Sequence, residues 1–137
     1  MLVKYLSMYT INKQFEFEAA HQLTNVTAPH PCSQLHGHSY LVDIELFTNS
    51  NDLLPNQWVK DFRELEPFAE LIKSKFDHQF ITAELLNDVA GTGELIKQTT
   101  SENMAYAFYR WCLNVGWYVS KVTVSETRKS RASFSIV

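Results

Sequence analysis

The sequence predicts a single α+β domain: a four-stranded antiparallel sheet with two helices packed on one face, in the order ββααββ. Three observations carry this expectation. Two early segments alternate apolar and polar residues, as half-buried strands do. The middle of the chain switches to a helical period, and alternation returns after Gly116. With 137 residues, 45% of them hydrophobic and nine of them Phe, the chain can build one core unaided and is not a disordered segment. No linker or repeat divides residues 1–137. Residues 1–8 lie ahead of the strong pattern, and Met8 is an alternative start.

The first strand is read over Ile11 to His21. Ile11, Phe15, Phe17, Ala19 and His21 share one face, Lys13 is the misfit, and Asn12, Gln14, Glu16 and Glu18 share the other. Thr24 to Ser33, with Pro29 and Pro31, reads as a loop. The second strand is read over His36 to Phe47, with His36, His38, Tyr40, Val42, Ile44 and Leu46 inward. Asn49 to Gln57 is a loop. From Asp61, a candidate N-cap, Phe62, Leu65, Ala69, Ile72 and Phe76 form a helical stripe, which Pro67 kinks or restarts. Asn87 to Lys97, with Gly91 and Gly93, reads as a second loop.

Thr99 and Glu102 have capping-box spacing and open a helix lined by Met104, Phe108, Trp111, Cys112 and Val115. Gly116 ends it. Trp117 to Thr127 alternates, with Val122, Val124 and Glu126 on one face. Arg131 to Val137 alternates through Ala132, Phe134 and Ile136.

A net charge of -3 gives no reason to expect nucleic acid or an anionic membrane as partner. Arg128, Lys129 and Arg131 form a small basic cluster only. No stretch is long enough to span a bilayer, and the start lacks the apolar run of a signal peptide. Two cysteines in unlike contexts build no disulfide framework, so a reducing, cytoplasmic setting is expected.

The chemistry concentrates in Cys32-Ser33-Gln34-Leu35-His36-Gly37-His38. On a strand, His36 and His38 face the same way, about 7 Å apart. His21 ends the apolar face of the other strand, so three imidazoles converge where a lone one would need a partner. Zinc takes imidazole and thiolate, three protein ligands with an open position in catalytic sites and four in structural ones. Cys32 is thus either a fourth ligand or a free thiol beside the metal. Asp77 precedes His78 directly; a carboxylate can fix an imidazole's tautomer, and the imidazole can hold a thiolate. Glu126, on an apolar strand face, is a candidate acceptor for a ligand's N–H groups. His30 reads as exposed and Cys112 as inert core.

Phe17-Glu18-Ala19-Ala20-His21, Cys32 with His36-Gly37-His38, Asp77-His78, Thr100-Ser101-Glu102-Asn103 and Glu126-Thr127 resemble, in order, the motifs of 6-pyruvoyltetrahydropterin synthases and bacterial 6-carboxytetrahydropterin synthases. The resemblance runs from about Phe15 to Thr127, and the Cys-x-x-x-His-Gly-His spacing is closer to the bacterial carboxy enzymes. It implies a tunnelling fold (T-fold), a homo-oligomer with active sites between subunits, and a small-molecule pterin triphosphate substrate. It implies zinc held by His21, His36 and His38, Cys32 as the base with Asp77 and His78, and Glu126 anchoring the pterin, with Glu102 and Thr100 also on the substrate side. The reaction would convert 7,8-dihydroneopterin triphosphate to 6-carboxy-5,6,7,8-tetrahydropterin, acetaldehyde and triphosphate, toward queuosine. Arg128, Lys129 and Arg131 are candidates for the triphosphate from charge alone. Lys60 and Thr99 depart from the family pattern, and Ile81 to Lys97 is longer than in compact members.

Overall fold

The structure, a computed structural model, describes residues 7–24, 26–27 and 29–136. The expected strands are present: β1 (Met8–His21), β2 (His36–Asn49), β4 (Val119–Thr127) and β5 (Ser130–Ser135). They pair antiparallel in the order β1-β2-β4-β5. β1 opens at Met8, three residues before the alternation does, and residues 1–6 of the expected leading segment lie outside the described residues.

Two elements were not expected. β3 (Gln79–Phe80) adds parallel to the outer edge of β1, making the sheet five-stranded. Two residues are too few to show any period. α2 (Ala83–Ala90) is a helix where part of a loop was read. It starts at Thr82, whose hydroxyl accepts from Leu85 N–H at 3.1 Å, and stops at Gly91 in the left-handed region (φ 71°).

The first expected helix is a composite. Asp61 caps it with a full capping box, accepting from Arg63 N–H while Glu64 accepts from Asp61 N–H. A 3-10 turn over Phe62–Leu65 leads into α1 (Glu66–Leu71), which restarts with Pro67 in its first turn, where the missing N–H costs nothing. A π turn over Ile72–Phe76 follows and releases Asp77 into extended backbone. Leu65, Ile72 and Phe76 are buried as the stripe predicts, but Phe62, at the leading end of the 3-10 turn, is exposed.

The last helix, α3 (Ser101–Asn114), is capped one residue later than expected. Thr100, not Thr99, accepts from Asn103 N–H at 3.2 Å, because Thr99 is turned inward.

The core lies between the apolar sheet face and the helices. Phe17 of β1 packs against Phe76 and Phe108, Phe15 against Phe68, and Tyr106 and Tyr109 of α3 against Phe134 of β5. Lys13, the misfit of β1, escapes the core by reaching over the Phe15 ring to Phe62 O at 3.3 Å. The opposite sheet face carries Gln14, Glu16, Glu18, Asp43 and Lys121, and no helix among the described residues packs on it, as a helices-on-one-face architecture requires.

Candidate metal and catalytic site

The register sets His21 directly opposite His36, and Ala19 opposite His38, at one end of the β1–β2 ladder. Alternation turns all three imidazoles to the core face, where their ligand atoms lie within 4.8 Å of one another. Ring centroids of His36 and His38 are 4.9 Å apart, closer than the backbone spacing alone suggests. Gly37 permits the tight pairing, since a Cβ there would stand 3.3 Å from Ala19 O.

His21 is 2% exposed. Its Nδ1 lies 2.8 Å from Thr99 O, and a carbonyl can only accept, so Nδ1 carries the proton and Nε2 is bare. His36 Nδ1 likewise donates to Gln34 O at 2.7 Å. Nε2 of His21 and of His38 are fully buried and meet no hydrogen-bond partner among the described residues. Burial lowers the pKa of both rings, more than the charge of Glu126 raises it, which favours the neutral, ligating form. Three imidazoles converging in this way, two of them with buried nitrogens that meet no partner, fit a zinc-type ion.

Glu126 of β4 stands beside the cluster. Oε2 is 3.6 Å from His38 Nε2, beyond hydrogen-bond distance, and Ser101 Oγ donates to Oε1 at 3.3 Å. Its charge sits by the N-terminus of α3, which favours an anion. Thr100 uses its hydroxyl on the helix cap, and Glu102 is exposed in the first turn of α3.

Cys32 lies in a 3-10 turn (Pro31–Ser33) and is half-buried. Its thiol is not part of the three-histidine group. His30, read only as exposed, shapes this turn: Cys32 N–H donates to its Nδ1 at 3.0 Å. No sequence signal marks that role. Cys112 is a core thiol whose pKa is pushed up to about 12 by burial.

The π turn delivers Asp77 and His78 to the edge of β1. Glu18 N–H donates to Asp77 Oδ1 at 3.0 Å, and Asp77 Oδ2 lies 3.1 Å from His78 Nδ1. The Glu18 N–H, more than His78, holds the Asp77 carboxyl below the usual carboxylate range. His78 has φ 60°, a strained backbone for a non-glycine residue, fixed by its N–H to Glu18 O at 2.6 Å. A groove of about 540 Å³ is lined by both His38 and His78, with Gly37, Ser39 and Phe80. Within one chain, Cys32 makes no hydrogen bond to Asp77 or His78. Arg128 and Arg131 line a cavity with Glu16 and Glu18 that none of the histidines lines.

Residues 10–136 match the family described as 6-pyruvoyl tetrahydropterin synthase. A Synechocystis protein named 6-carboxy-5,6,7,8-tetrahydropterin synthase is 36% identical over 107 residues, covering 72% of this chain and 70% of its own. One of the same name from Rickettsia conorii is 30% identical, covering 72% of this chain and 67% of its own. The solved 6-pyruvoyl tetrahydropterin synthase of Caenorhabditis elegans has the same fold, with a TM-score of 0.71 at 23% identity, covering 98% of this chain and 100% of that one.

Proposed function

The chain belongs to the 6-pyruvoyl tetrahydropterin synthase family, and from that premise we propose that it is a zinc-dependent 6-carboxy-5,6,7,8-tetrahydropterin synthase. The observation that carries the metal part is the pair of buried, unpartnered Nε2 atoms on His21 and His38 beside His36. Two relatives above carry the carboxy enzyme's name, and the Cys-x-x-x-His-Gly-His spacing agrees with it. The substrate is 7,8-dihydroneopterin triphosphate and the products are 6-carboxytetrahydropterin, acetaldehyde and triphosphate, a carbon–carbon lyase step toward queuosine in the cytoplasm.

His21, His36 and His38 would hold the ion. When bound, it supplies a Lewis acid for the substrate's side-chain oxygens. The Cys32 thiolate removes a proton from the substrate side chain. His78, oriented by Asp77, takes up and returns a proton. Glu126 accepts from the guanidine-like edge of the pterin. Glu102 and Thr100 flank that pocket at the start of α3. Asp77 and His78 are presented at a sheet edge, which suits a homo-oligomer whose active sites are completed by a neighbouring copy. Arg128, Lys129 and Arg131 would then meet the triphosphate of a neighbour's site. Residues 1–137 act as one domain in this scheme.

Incubating the zinc-loaded protein with dihydroneopterin triphosphate tests the reading. Acetaldehyde and triphosphate are expected in equal amounts. Triphosphate without acetaldehyde would reassign the chain to the pyruvoyl reaction, and release of neither would overturn the enzyme reading. The alternative of a metal-stabilised binding protein needs Cys32 as fourth ligand, and the thiol's place outside the histidine group speaks against it.

A further inference from the structure

The segment between Lys97 and the site is held far more tightly than a loop needs to be. Asn87 of α2 is 7% exposed, and both polar atoms of its side chain are hydrogen-bonded. Its Nδ2 donates to Ile96 O at 2.8 Å, and its Oδ1 accepts from Ile96 N–H at 2.8 Å and from Thr92 Oγ1 at 3.0 Å. Two bonds to both polar groups of one residue fix that peptide in position and orientation, as a strand partner would. Two residues on, Asn103 Nδ2 donates to Gln98 O at 2.9 Å, and the Gln98 side chain pairs with Thr24 through its N–H and its hydroxyl, each at 3.2 Å. The next carbonyl, Thr99 O, is the one that accepts from His21 Nδ1, with Thr99 Oγ1 a longer second contact at 3.3 Å.

We propose that Asn87 is a positioning residue for the histidine cluster: it braces the strap over residues 96–99 so that Thr99 O selects the Nδ1–H tautomer of His21 and leaves Nε2 aimed at the metal. The physical reason is that neutral imidazole has two tautomers of similar energy, and only a fixed acceptor on one nitrogen makes the other a reliable ligand. A buried apolar residue at position 87 would pack as well but would leave the N–H and C=O of Ile96 without partners, and the strap free to shift. The proposal rests on reading His21, His36 and His38 as metal ligands.

The test uses the full chain in three variants. Asn87→Leu removes the clamp, and Asn87→Asp keeps the acceptor while losing the Nδ2 donation. Leu86→Ala creates a cavity at the neighbouring, fully buried position of α2 and leaves the clamp intact. Two readouts are taken: Co2+ affinity from the visible spectrum, and the His21 tautomer in metal-free protein by long-range ¹⁵N NMR near pH 8, where the ring is neutral. Wild-type His21 is expected as the Nδ1–H tautomer. Asn87→Leu should mix the tautomers and weaken Co2+ about 10–100-fold, Asn87→Asp less so. Leu86→Ala, with a comparable loss of Tm, should change neither. Unchanged tautomer and affinity in Asn87→Leu would overturn the brace. So would losses in Leu86→Ala that match the Asn87 variants. If the wild-type protein takes up no Co2+, the metal reading fails, while the tautomer comparison still decides whether Asn87 positions His21.

Discussion

Cys32 and Cys112 carry the same thiol into opposite environments. Burial on α3 holds Cys112 protonated, with its pKa pushed up to about 12, whereas Cys32 sits half-buried in a polar turn. A thiol reagent near pH 8 should therefore modify one cysteine in the native protein and two after denaturation. Cys32→Ala should keep its zinc and change stability by less than about 0.5 kcal/mol, as expected of a side chain that is not a ligand. Turnover should fall about 10²–10⁴-fold, the usual loss with a general base. Metal analysis and single-turnover assays check both; joint loss of zinc and Tm would restore the four-ligand alternative. Asp77 gives a pH signature. Its folded pKa is lowered, chiefly by Glu18 N–H, so the anion is the form that folding favours. The resulting stability is present above the unfolded value of about 3.9 and is lost as pH falls through the lower folded value. Asp77→Asn should flatten the Tm-against-pH curve below about pH 4, which thermal melts at graded pH would show.

Among the elements, α3 shows why boundaries were harder to read than existence. Thr99 has the capping-box spacing to Glu102, which predicts the cap one residue early. Contact with His21, 78 residues away in sequence, pulls Thr99 inward and leaves the cap to Thr100. Thr100→Ala should cost about 1 kcal/mol in chemical denaturation, with Thr100→Ser recovering most of it. The second half of α2 looks like loop in sequence because Asn87 and the two glycines that follow are turn formers. The residue that disguised the helix is the one that clamps the strap beneath the site. β3 has two residues, and no periodic signal can exist at that length. Its consequence is large, since it pins Asp77 and His78 beside β1.

For the molecule as a whole, the sheet brings His21, His36, His38 and Glu126 together at one end of β1, β2 and β4 and holds Asp77 and His78 at the edge of β1. Unpartnered imidazole nitrogens inside that end are costly without a ligand. Chelation should therefore lower Tm, and Zn2+ should restore it. Free metal at 1,000-fold over its dissociation constant would add about 4 kcal/mol, measurable by calorimetry. No helix among the described residues is long and apolar enough to cross a membrane.

Alternation and spacing alone were enough for the four long strands, the central part of each helix stripe and the convergence of His21, His36 and His38, because each depends on a local period of 2 or 3.6 residues; at the stripe ends Phe62 and Val115 are exposed instead. The resemblance in five ordered motifs gave the family. Folding decided what local pattern cannot encode: which nitrogen of His21 is bare, which threonine caps α3, that Cys32 stands outside the histidine group, and that the span read as loop is a brace. Each of these rests on a hydrogen bond or a separation between residues distant in sequence, and such contacts exist only once the backbone has been brought together.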